Sequence, residues 1–341
     1  MKRNWKALIL STLLAGALVA GCSSGGQQGD AKKDDGGKPT IGVAIYKFDD
    51  TFMSGVRSAI SKAAEGKAQV DIVDSQNSQP TQNDKVDLFI NKKVKALAIN
   101  PVDRSAAGVL IDKAQKANIP IVFLNREPLP EDMKKWDKVY YVGAKAEQSG
   151  TMEGQLLVDY FKAHPTKDGI IHYVMIKGEP GHQDAELRTK YSIKAMEDAG
   201  LKVEKVAEDT AMWDRVKGQE KMAAFLAAHD NIDCVLANND DMALGAIEAL
   251  KAKGYFQNGK FMPVVGVDAT APALKALEDG TLYGTVLNDA VNQGKATTNL
   301  ATVLALGQAP SKDNVGYDIT DGKYIWIDYK KITKDNINDA K

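Results

Sequence analysis

From Thr40 onward, short apolar runs alternate with longer amphipathic stretches. Apolar runs bounded by turn residues predict buried strands, and apolar residues spaced three or four positions apart predict helices. The predicted strands are Ile41–Tyr46, Val70–Val73, Ala96–Asn100, Pro120–Leu124, Val139–Val142, Ile170–Ile176, Val203–Ala207, Cys234–Ala237, Val264–Val267 and Gly284–Leu287. The predicted helices include Phe52–Glu65, Gln82–Lys92, Ala106–Ala117, Gln148–Ala163, Asp184–Ala199, Asp214–Ala228, Met242–Lys253 and Gln293–Ala305. This alternation is typical of an α/β protein whose helices cover both faces of a parallel sheet.

The series of strands and helices runs twice along the chain. A long helix and a new set of strands begin after Gly143–Ala144, where we place the break between the two series. The 341 residues also suffice for two domains at roughly 100–200 residues each. We therefore expect two α/β lobes.

Residues 1–21 have the features of a signal peptide. A basic segment precedes the apolar run Ala7–Ala20, which is shorter than the roughly 20 residues of a membrane-spanning helix. The run leads into Val19-Ala20-Gly21-Cys22, which resembles the bacterial lipobox, where the cysteine is acylated and becomes the mature N-terminus. The alternative is an ordinary secreted signal that ends near a cysteine. Residues 22–38 lack large apolar side chains and predict a flexible tether between a lipid anchor in the cell membrane and the folded part.

Charge and cysteine content exclude several classes of function. The chain has 44 Lys and Arg against 45 Asp and Glu, a net charge of −1, and no basic block in the folded part. A nucleic-acid partner is therefore not expected. Two cysteines, Cys22 and Cys234, are too few for a disulfide framework or a structural zinc site. Cys234 lies in an apolar strand and is most simply a small buried residue.

Polar residues follow almost every predicted strand, together with the aromatic residues Phe52 and Trp213. Ligands of open α/β sheets bind beyond the carboxyl ends of the strands. Carboxylates and amides match ligands rich in hydroxyl groups, and aromatic faces suit the C–H faces of a pyranose, so this set predicts a sugar site. The competing interpretation is that each polar residue is a helix N-cap or turn residue, with Asp184 and Arg188 as a surface pair. The polar strand-end positions are Asp49, Asp50, Asn100, Asn125, Arg126, Glu127, His182, Asp184, Asp214, Asn238, Asn239, Asp240, Asp241, Asp268, Asn288 and Asp289.

Catalytic motifs are not found in the sequence. It has no G-x-S-x-G, no H-E-x-x-H and no G-x-G-x-x-G after the first strand. Gly254–Lys260 matches the opening of a P-loop, but Phe261 stands where that motif needs a hydroxyl, and a strand rather than a helix follows. We interpret this segment as a loop that ends a helix, and we do not expect an enzyme.

Five dispersed strings stand out in the folded part: Ile45-Tyr-Lys-Phe-Asp-Asp-Thr-Phe-Met53, Lys177-Gly-Glu-Pro-Gly-His182, Asp209-Thr-Ala-Met-Trp-Asp214, Ala237-Asn-Asn-Asp240 and Gly284-Thr-Val-Leu-Asn-Asp289. They closely resemble the D-galactose/D-glucose-binding proteins of bacterial sugar import, and the resemblance covers essentially all of residues 39–335. This family, of the periplasmic-binding-protein type I class, has two Rossmann-like lobes with parallel sheets joined by a three-segment hinge. The resemblance implies that residues 39–143 and 289–321 form the N-terminal lobe, and that residues 144–288 and 322–341 form the C-terminal lobe.

The resemblance also implies a set of sugar-binding residues. Asp50 would bind the 4-hydroxyl of a hexose, and Phe52 and Trp213 would stack on its two faces. The remaining hydroxyls and the ring oxygen would be bound by Asn125, His182, Asp184, Arg188, Asn239, Asp268 and Asn288.

A calcium loop that is frequent in the family is degraded here. The aligned stretch His164–His172 and the distant Asp233 keep carboxylates only at Asp168 and Asp233, and imidazoles are poor ligands for a hard cation. We therefore expect no cofactor and no metal, although the resemblance leaves calcium binding open.

The sequence thus predicts a monomeric, lipid-anchored extracytoplasmic receptor that binds D-galactose or D-glucose and delivers it to the membrane subunits of an ABC importer. A chemoreceptor as an additional partner stays open. The alternatives are a binding protein for another monosaccharide, the effector domain of a sugar-responsive regulator, and an enzyme that acts on sugars. A regulator would carry a DNA-binding helix-turn-helix before the first strand, where this chain has a signal and a polar tether.

Overall fold

The computed structural model describes residues 37–341. The predicted signal peptide (1–21), the lipidation site Cys22 and almost all of the tether (22–38) lie outside the described residues. Among the residues that it does describe, no helix is long and apolar enough to cross a membrane.

Strands and helices alternate through the described part of the chain. The strands are β1 (Thr40–Ile45), β2 (Gln69–Asp74), β3 (Ala96–Ile99), β4 (Ile121–Leu124), β5 (Val139–Gly143), β6 (Ile170–Lys177), β7 (Lys202–Thr210), β8 (Cys234–Ala237), β9 (Val264–Val265), β10 (Thr285–Leu287), β11 (Tyr324–Trp326) and β12 (Lys330–Ile332). The α-helices are α1 (Thr51–Ala64), α2 (Gln79–Asn91), α3 (Ala107–Ala117), α4 (Pro130–Met133), α5 (Ala146–Ala163), α6 (Gln183–Asp198), α7 (Arg215–Ala228), α8 (Asp240–Ala252), α9 (Ala271–Glu278), α10 (Ala290–Ala305) and α11 (Lys312–Val315). Short 3₁₀ helices lie at Arg104–Ala106 and Lys334–Ala340.

The strands form two separate parallel sheets, as the sequence pattern predicts. The first has the order β2-β1-β3-β4-β5-β11, with every neighbouring pair parallel. The second has the order β7-β6-β8-β9, again parallel. Single parallel bridges connect the β10 segment to the β9 segment, and β12 pairs antiparallel with β10. The two-lobed α/β fold predicted from the sequence is confirmed.

Both sheets are buried on two faces, which explains why their central strands are apolar throughout. All residues of β3, β4 and β8 are buried. By contrast, the edge strands β2 and β7 are half-exposed and carry charged residues. Each lobe therefore has an apolar core on either side of its sheet, and one of these cores includes α10 packed against α1.

The chain passes between the two sheets three times. It does so between β5 and α5, between β10 and α10, and between β11 and β12. The sequence places the last passage near Asp321–Gly322, but Tyr324–Trp326 pairs with Tyr141–Gly143 of the first sheet. The chain therefore leaves the first sheet only after Trp326, because β11 extends the edge next to β5. The other lobe boundaries drawn from the sequence stay a prediction.

Candidate functional site

One cavity between the two lobes brings together the residues that the sequence singles out. The cavity is narrow, with about 40 Å³ of space that a water-sized molecule can reach. All ten predicted residues line it: Asp50, Phe52, Asn125, His182, Asp184, Arg188, Trp213, Asn239, Asp268 and Asn288. Three residues that sequence reasoning missed line it as well, namely Tyr46, Met53 and Arg126.

Asp50 is the N-cap of α1, and both of its carboxylate oxygens are held. Oδ1 accepts the backbone N–H of Met53 at 2.7 Å, and Oδ2 accepts the hydroxyl of Tyr46 at 2.5 Å. Burial, and then the nearby Asp50 charge, raise the pKa of Tyr46, so its hydroxyl stays a donor. A carboxylate oxygen has more than one acceptor site, and Asp50 is therefore an oriented acceptor with capacity left for a ligand.

Asn125 follows β4 in a left-handed backbone conformation, with φ of 61°. Asparagine adopts this conformation more readily than most residues. Its Oδ1 accepts Nδ2 of the buried Asn100 at 3.1 Å, and its carbonyl accepts the Tyr141 hydroxyl at 2.9 Å. The side-chain nitrogen, Nδ2, is the atom of Asn125 that remains available to a ligand, because the backbone N–H donates to the Val142 carbonyl.

Arg188 is a buried residue of the cavity wall and not part of a surface pair. Nη2 donates to Asp184 Oδ2 at 3.0 Å and to the Tyr329 hydroxyl at 3.2 Å. Nη1 donates to the Asn238 carbonyl at 2.8 Å, and Nε donates to Ser149 Oγ at 3.2 Å. Because α5, α6, the loop after β8 and the C-terminal segment all hold the guanidinium, its position is fixed before any ligand arrives.

The electrostatics of the cavity combine buried acids with two buried guanidinium groups, those of Arg126 and Arg188. Burial raises the pKa of Asp184 and raises that of Asp268 well above its usual value, while the Arg188 charge acts to lower both. Burial acts to lower the pKa of Arg188, but Tyr329, Asp184 and Asp268 outweigh it and the net shift is upward. The acids therefore partly balance the guanidinium.

His182 is held as a neutral imidazole. Its Nδ1 accepts the backbone N–H of Asp184 at 3.1 Å, which makes it the N-cap of α6. Burial, followed by the charges of Arg126 and Arg188, lowers its pKa well below the usual value. With Nδ1 occupied as an acceptor, the Nε2–H group is the donor available to a ligand.

Trp213 lies against a glycine that leaves room for its ring. A Cβ built on Gly178 would lie 2.2 Å from Trp213 ring carbons, so only glycine permits this contact. The indole is buried, with its backbone in the left-handed region at φ of 63°. The His182 ring meets it edge-on, with centroids 5.0 Å apart.

Two amide side chains complete the wall, Asn288 after β10 and Asn239 at the start of α8, and Gln293 of α10 supports Asn288 from outside the cavity. Asn288 Nδ2 donates to Asp268 Oδ1 at 3.1 Å, and Asn288 Oδ1 accepts Gln293 Nε2 at 2.5 Å. Asn239 Oδ1 caps α8 by accepting the Met242 N–H at 3.0 Å. Sequence reasoning missed Gln293 because it lies one turn inside α10 and not at a strand end.

Arg126 is the most informative residue that sequence reasoning passed over. It is 4% exposed, and its guanidinium lies 3.7 Å from the centroid of the Tyr46 ring. Nη1 donates to the Val102 carbonyl at 2.8 Å, and Nη2 lies 3.2 Å from Glu179 Oε2 of the other lobe. Its place among the strand-end residues was the signal that could have identified it.

The segment aligned with the family's calcium loop is held by protein contacts. Asp233 Oδ2 accepts the His172 backbone N–H at 2.8 Å and lies 3.1 Å from His172 Nδ1. Asp168 Oδ1 accepts the Ile170 N–H at 3.0 Å, and the ring of His164 stacks on Tyr160. Across residues 37–341 no group of three or more His, Cys, Asp or Glu side chains could hold a metal ion. These residues do not fit calcium.

The cavity offers oriented acceptors, oriented donors and aromatic rings from both lobes, among them Phe52 and Trp213. The fold and this cavity define a two-lobed solute-binding protein. Residues 41–309 match the model of the "Periplasmic binding protein domain", and the chain belongs to this family of non-enzymatic solute-binding proteins.

Individual proteins that are similar to this chain are also solute-binding proteins. The chain is 42% identical to the D-galactose/methyl-galactoside binding periplasmic protein MglB of Haemophilus influenzae, over 98% of each chain. It is 34% identical to a putative rhizopine-binding protein of Rhizobium meliloti, over 87% of this chain and 91% of that one. Among solved structures, an ABC transporter solute binding protein of Bacillus halodurans with bound myo-inositol is 30% identical and superimposes with a TM-score of 0.75, covering 90% of this chain and 98% of that one.

Proposed function

We propose that this protein binds D-galactose or D-glucose in the cavity between its lobes and delivers the sugar to an ABC importer. The observation that carries the proposal is the convergence of all ten predicted residues on one cavity. The similarity to a D-galactose/methyl-galactoside binding protein over nearly the whole chain supports the same ligand class.

The arrangement of the cavity suits a neutral hexose. Phe52 and Trp213 would stack on the two faces of the pyranose ring. Asp50, Asp184 and Asp268 would accept hydroxyl protons, and the nitrogens of amides, His182 and Arg188 would donate to hydroxyl oxygens. A sugar that lacks one of these hydroxyls would leave a buried polar group unpaired, which costs about 1–3 kcal/mol.

Delivery requires a closed form that the importer can recognise. A sugar that contacts both lobes binds the closed arrangement more tightly than the open one and shifts the population toward it. We further propose that the chain acts outside the cytoplasm, attached to the cell membrane by a lipid on Cys22. The signal peptide and the polar tether support this location.

The test is calorimetry of the tag-free mature protein with D-galactose, D-glucose, D-ribose, D-xylose, L-arabinose and myo-inositol. We expect tight binding of one or both hexoses. Tight binding of a pentose or of the inositol, with no hexose signal, would contradict the proposal.

Asp50→Ala should weaken hexose binding at least 100-fold, because it removes an oriented acceptor and leaves a sugar hydroxyl unpaired. Ser78→Ala is the matched control, since Ser78 caps α2 by accepting the Thr81 N–H at 3.3 Å and does not line the cavity. It should cost stability without changing affinity. An Asp50→Ala protein that is folded and binds hexose normally would remove Asp50 from the site.

A further inference from the structure

Two consecutive residues after β9 have a backbone conformation that favours glycine. The angle φ is 131° at Asp268 and 55° at Ala269, and neither residue is a glycine. Asp268 also lines the proposed sugar cavity, so a strained backbone presents its carboxylate to the ligand. Such a conformation persists only where the surrounding structure holds it. The contacts of this segment therefore determine where the Asp268 carboxylate lies.

The carboxylate of Asp240, in the first turn of α8, supports the strained segment. Oδ2 accepts the backbone N–H of Thr270 at 2.8 Å and the Thr270 hydroxyl at 3.3 Å. Oδ1 accepts the Thr285 hydroxyl at 2.6 Å, and Thr285 Oγ1 in turn accepts the backbone N–H of Ala269 at 3.3 Å. Asp240 and Thr285 are both fully buried. One carboxylate therefore holds two successive backbone N–H groups, that of Thr270 directly and that of Ala269 through Thr285.

Two neighbouring residues are arranged around the Asp240 carboxylate. Thr270 is the N-cap of α9, but its hydroxyl is directed to Asp240 instead of to a backbone N–H of its own helix. Gly266 leaves room for the carboxylate, because a Cβ built on it would lie 2.7 Å from Asp240 Oδ1. Both features are explained by the place that the carboxylate occupies between β9, β10 and α9.

Asp240 acts on the sugar cavity from outside it. It does not line the cavity, and its two oxygens accept the hydrogen bonds from Thr270 and Thr285. Burial raises the pKa of Asp240 to about 6, while the hydrogen bonds from Thr285 and Thr270 act to lower it, so the carboxylate is ionised at neutral pH. An ionised carboxylate has acceptor sites only, which matches a surrounding of hydroxyl and N–H donors.

We propose that Asp240 is a positioning residue for hexose recognition, which holds Asp268 in its sugar-binding conformation through Thr285 and Thr270. This inference rests on the proposed function, because it requires a hexose that Asp268 binds. Loss of either link lets the segment relax toward ordinary backbone angles, and the Asp268 carboxylate then moves away from its hydroxyl. The defect therefore falls on the hydroxyl that Asp268 binds and not on the rest of the sugar.

The test is calorimetry of the full mature chain at neutral pH with D-galactose, D-glucose and their derivatives that lack the hydroxyl at carbon 1, 2, 3, 4 or 6. Asp268→Ala identifies the hydroxyl that Asp268 binds, since this variant changes the affinity of the derivative without that hydroxyl least. Thr285→Val removes one link, and Asp240→Asn leaves a single acceptor oxygen for the donors around it. Each of these two variants should weaken the parent hexose at least tenfold and that same derivative less than threefold.

Thr302→Val is the matched control for the loss of a buried hydroxyl. Thr302 is a buried residue of α10 that does not line the cavity, and its hydroxyl donates to the Thr298 carbonyl at 2.7 Å. This variant should change the affinity of every sugar less than twofold. Urea unfolding shows which variants are folded, and Thr285→Val alone decides the test if Asp240→Asn does not fold.

The outcomes separate the two proposals. Failure of the wild-type protein to bind either hexose would overturn the proposed function. If the wild type binds hexose and folded Thr285→Val binds it equally well, the positioning role alone is overturned. Equal losses for the hexose and for all of its derivatives would also overturn it, because the defect would then not be confined to the hydroxyl of Asp268. An Asp268→Ala protein that binds every sugar normally would remove Asp268 from the site, and the positioning role with it.

Discussion

The polar side chains of the cavity are fixed by the protein itself. Asp50 is bound at both oxygens, and Arg188 is held by four partners. A side chain that becomes immobile only when a ligand binds costs about 0.5–1.5 kcal/mol of binding free energy. Side chains that are already fixed in the folded protein avoid this cost. Neutral hydroxyls offer no charge–charge attraction, so recognition of a sugar depends on this orientation.

His182 gives the cavity a pH dependence whose sign follows from its lowered pKa. The unfolded chain binds a proton at His182 near pH 6.5, whereas the folded chain does so only at lower pH. The contribution of His182 to the free energy of unfolding is therefore fully present above about pH 6.5. It decreases as the pH falls toward the pKa of His182 in the folded protein. The slope from this residue reaches at most about 1.4 kcal/mol per pH unit. Urea unfolding at a series of acidic pH values should show a shallower decline for His182→Gln than for the wild type.

His229→Gln is the control for this experiment. His229 lies at the C-terminal end of α7 and does not line the cavity. This variant should keep the wild-type slope. Identical slopes for all three proteins would show that His182 does not produce the pH dependence.

At the scale of helices and strands, the capping interpretation and the binding interpretation of the strand-end residues are both correct. Asp214 and Asp289 cap α7 and α10 and do not line the cavity. Asp50, His182 and Asn239 cap their helices and line the cavity as well. An N-cap at a strand end already lies at the edge of the sheet where ligands bind, so capping does not argue against a binding role.

The long apolar runs were predictable, and the short elements were not. The ten predicted strands are all present with small shifts of their ends. Two-sided burial makes the central strands continuous apolar runs, and the edge strands β2 and β7 were predicted from shorter apolar segments. The sequence did not predict β11 and β12, which have three residues each and form by pairing with strands distant in sequence. Tyr46 and Arg126 were missed for a related reason, since their role depends on contact with Asp50 and Glu179 across loops.

The His172–Asp233 contact leads to a prediction about metals. Asp233 precedes β8 and is hydrogen-bonded to His172 of β6, so these two segments are held together without a bound cation. Excess EDTA or added calcium should therefore leave the thermal midpoint of the sugar-free protein unchanged. Asp233→Ala should lower the free energy of unfolding by about 1–3 kcal/mol, because it removes the acceptor of the His172 backbone N–H together with the contact to His172 Nδ1.

Differential scanning calorimetry measures both effects. Asp230→Ala is the control, because Asp230 is an exposed residue of the same loop. A midpoint that falls on chelation and recovers with calcium would contradict the prediction.

For the whole molecule, several side-chain contacts between residues that the structure describes join the lobes. Thr51 donates to Asp241 at 2.5 Å, Gln183 donates to Glu127 at 3.2 Å, Asn77 donates to Glu179 at 3.5 Å, and Arg126 lies 3.2 Å from Glu179. All of them must break when the lobes separate, so they contribute to the stability of the closed arrangement. The sugar and these contacts therefore act together on the same equilibrium.

Arg126–Glu179 is the contact best suited to measuring this coupling, because Glu179 does not line the sugar cavity. Arg126 is 4% exposed and the side chain of Glu179 is 16% exposed, so the pair is shielded from solvent. Loss of the pair should destabilise the closed form, and Glu179→Gln should weaken hexose binding about tenfold, or about 1.4 kcal/mol. Stopped-flow Trp fluorescence should assign most of this loss to faster dissociation.

A double-mutant cycle with Arg126→Met completes the experiment, because Arg126 also lines the cavity and its single variant combines two effects. The coupling energy should be about 1–2 kcal/mol, within the range for residues in contact. Glu186→Gln is the matched control, since Glu186 pairs with Lys177 of the same lobe at 3.0 Å and should leave the affinity unchanged. If Glu179→Gln binds hexose as tightly as the wild type, the pair contributes nothing to closure. The closed form would then depend on the sugar and on the other contacts between the lobes.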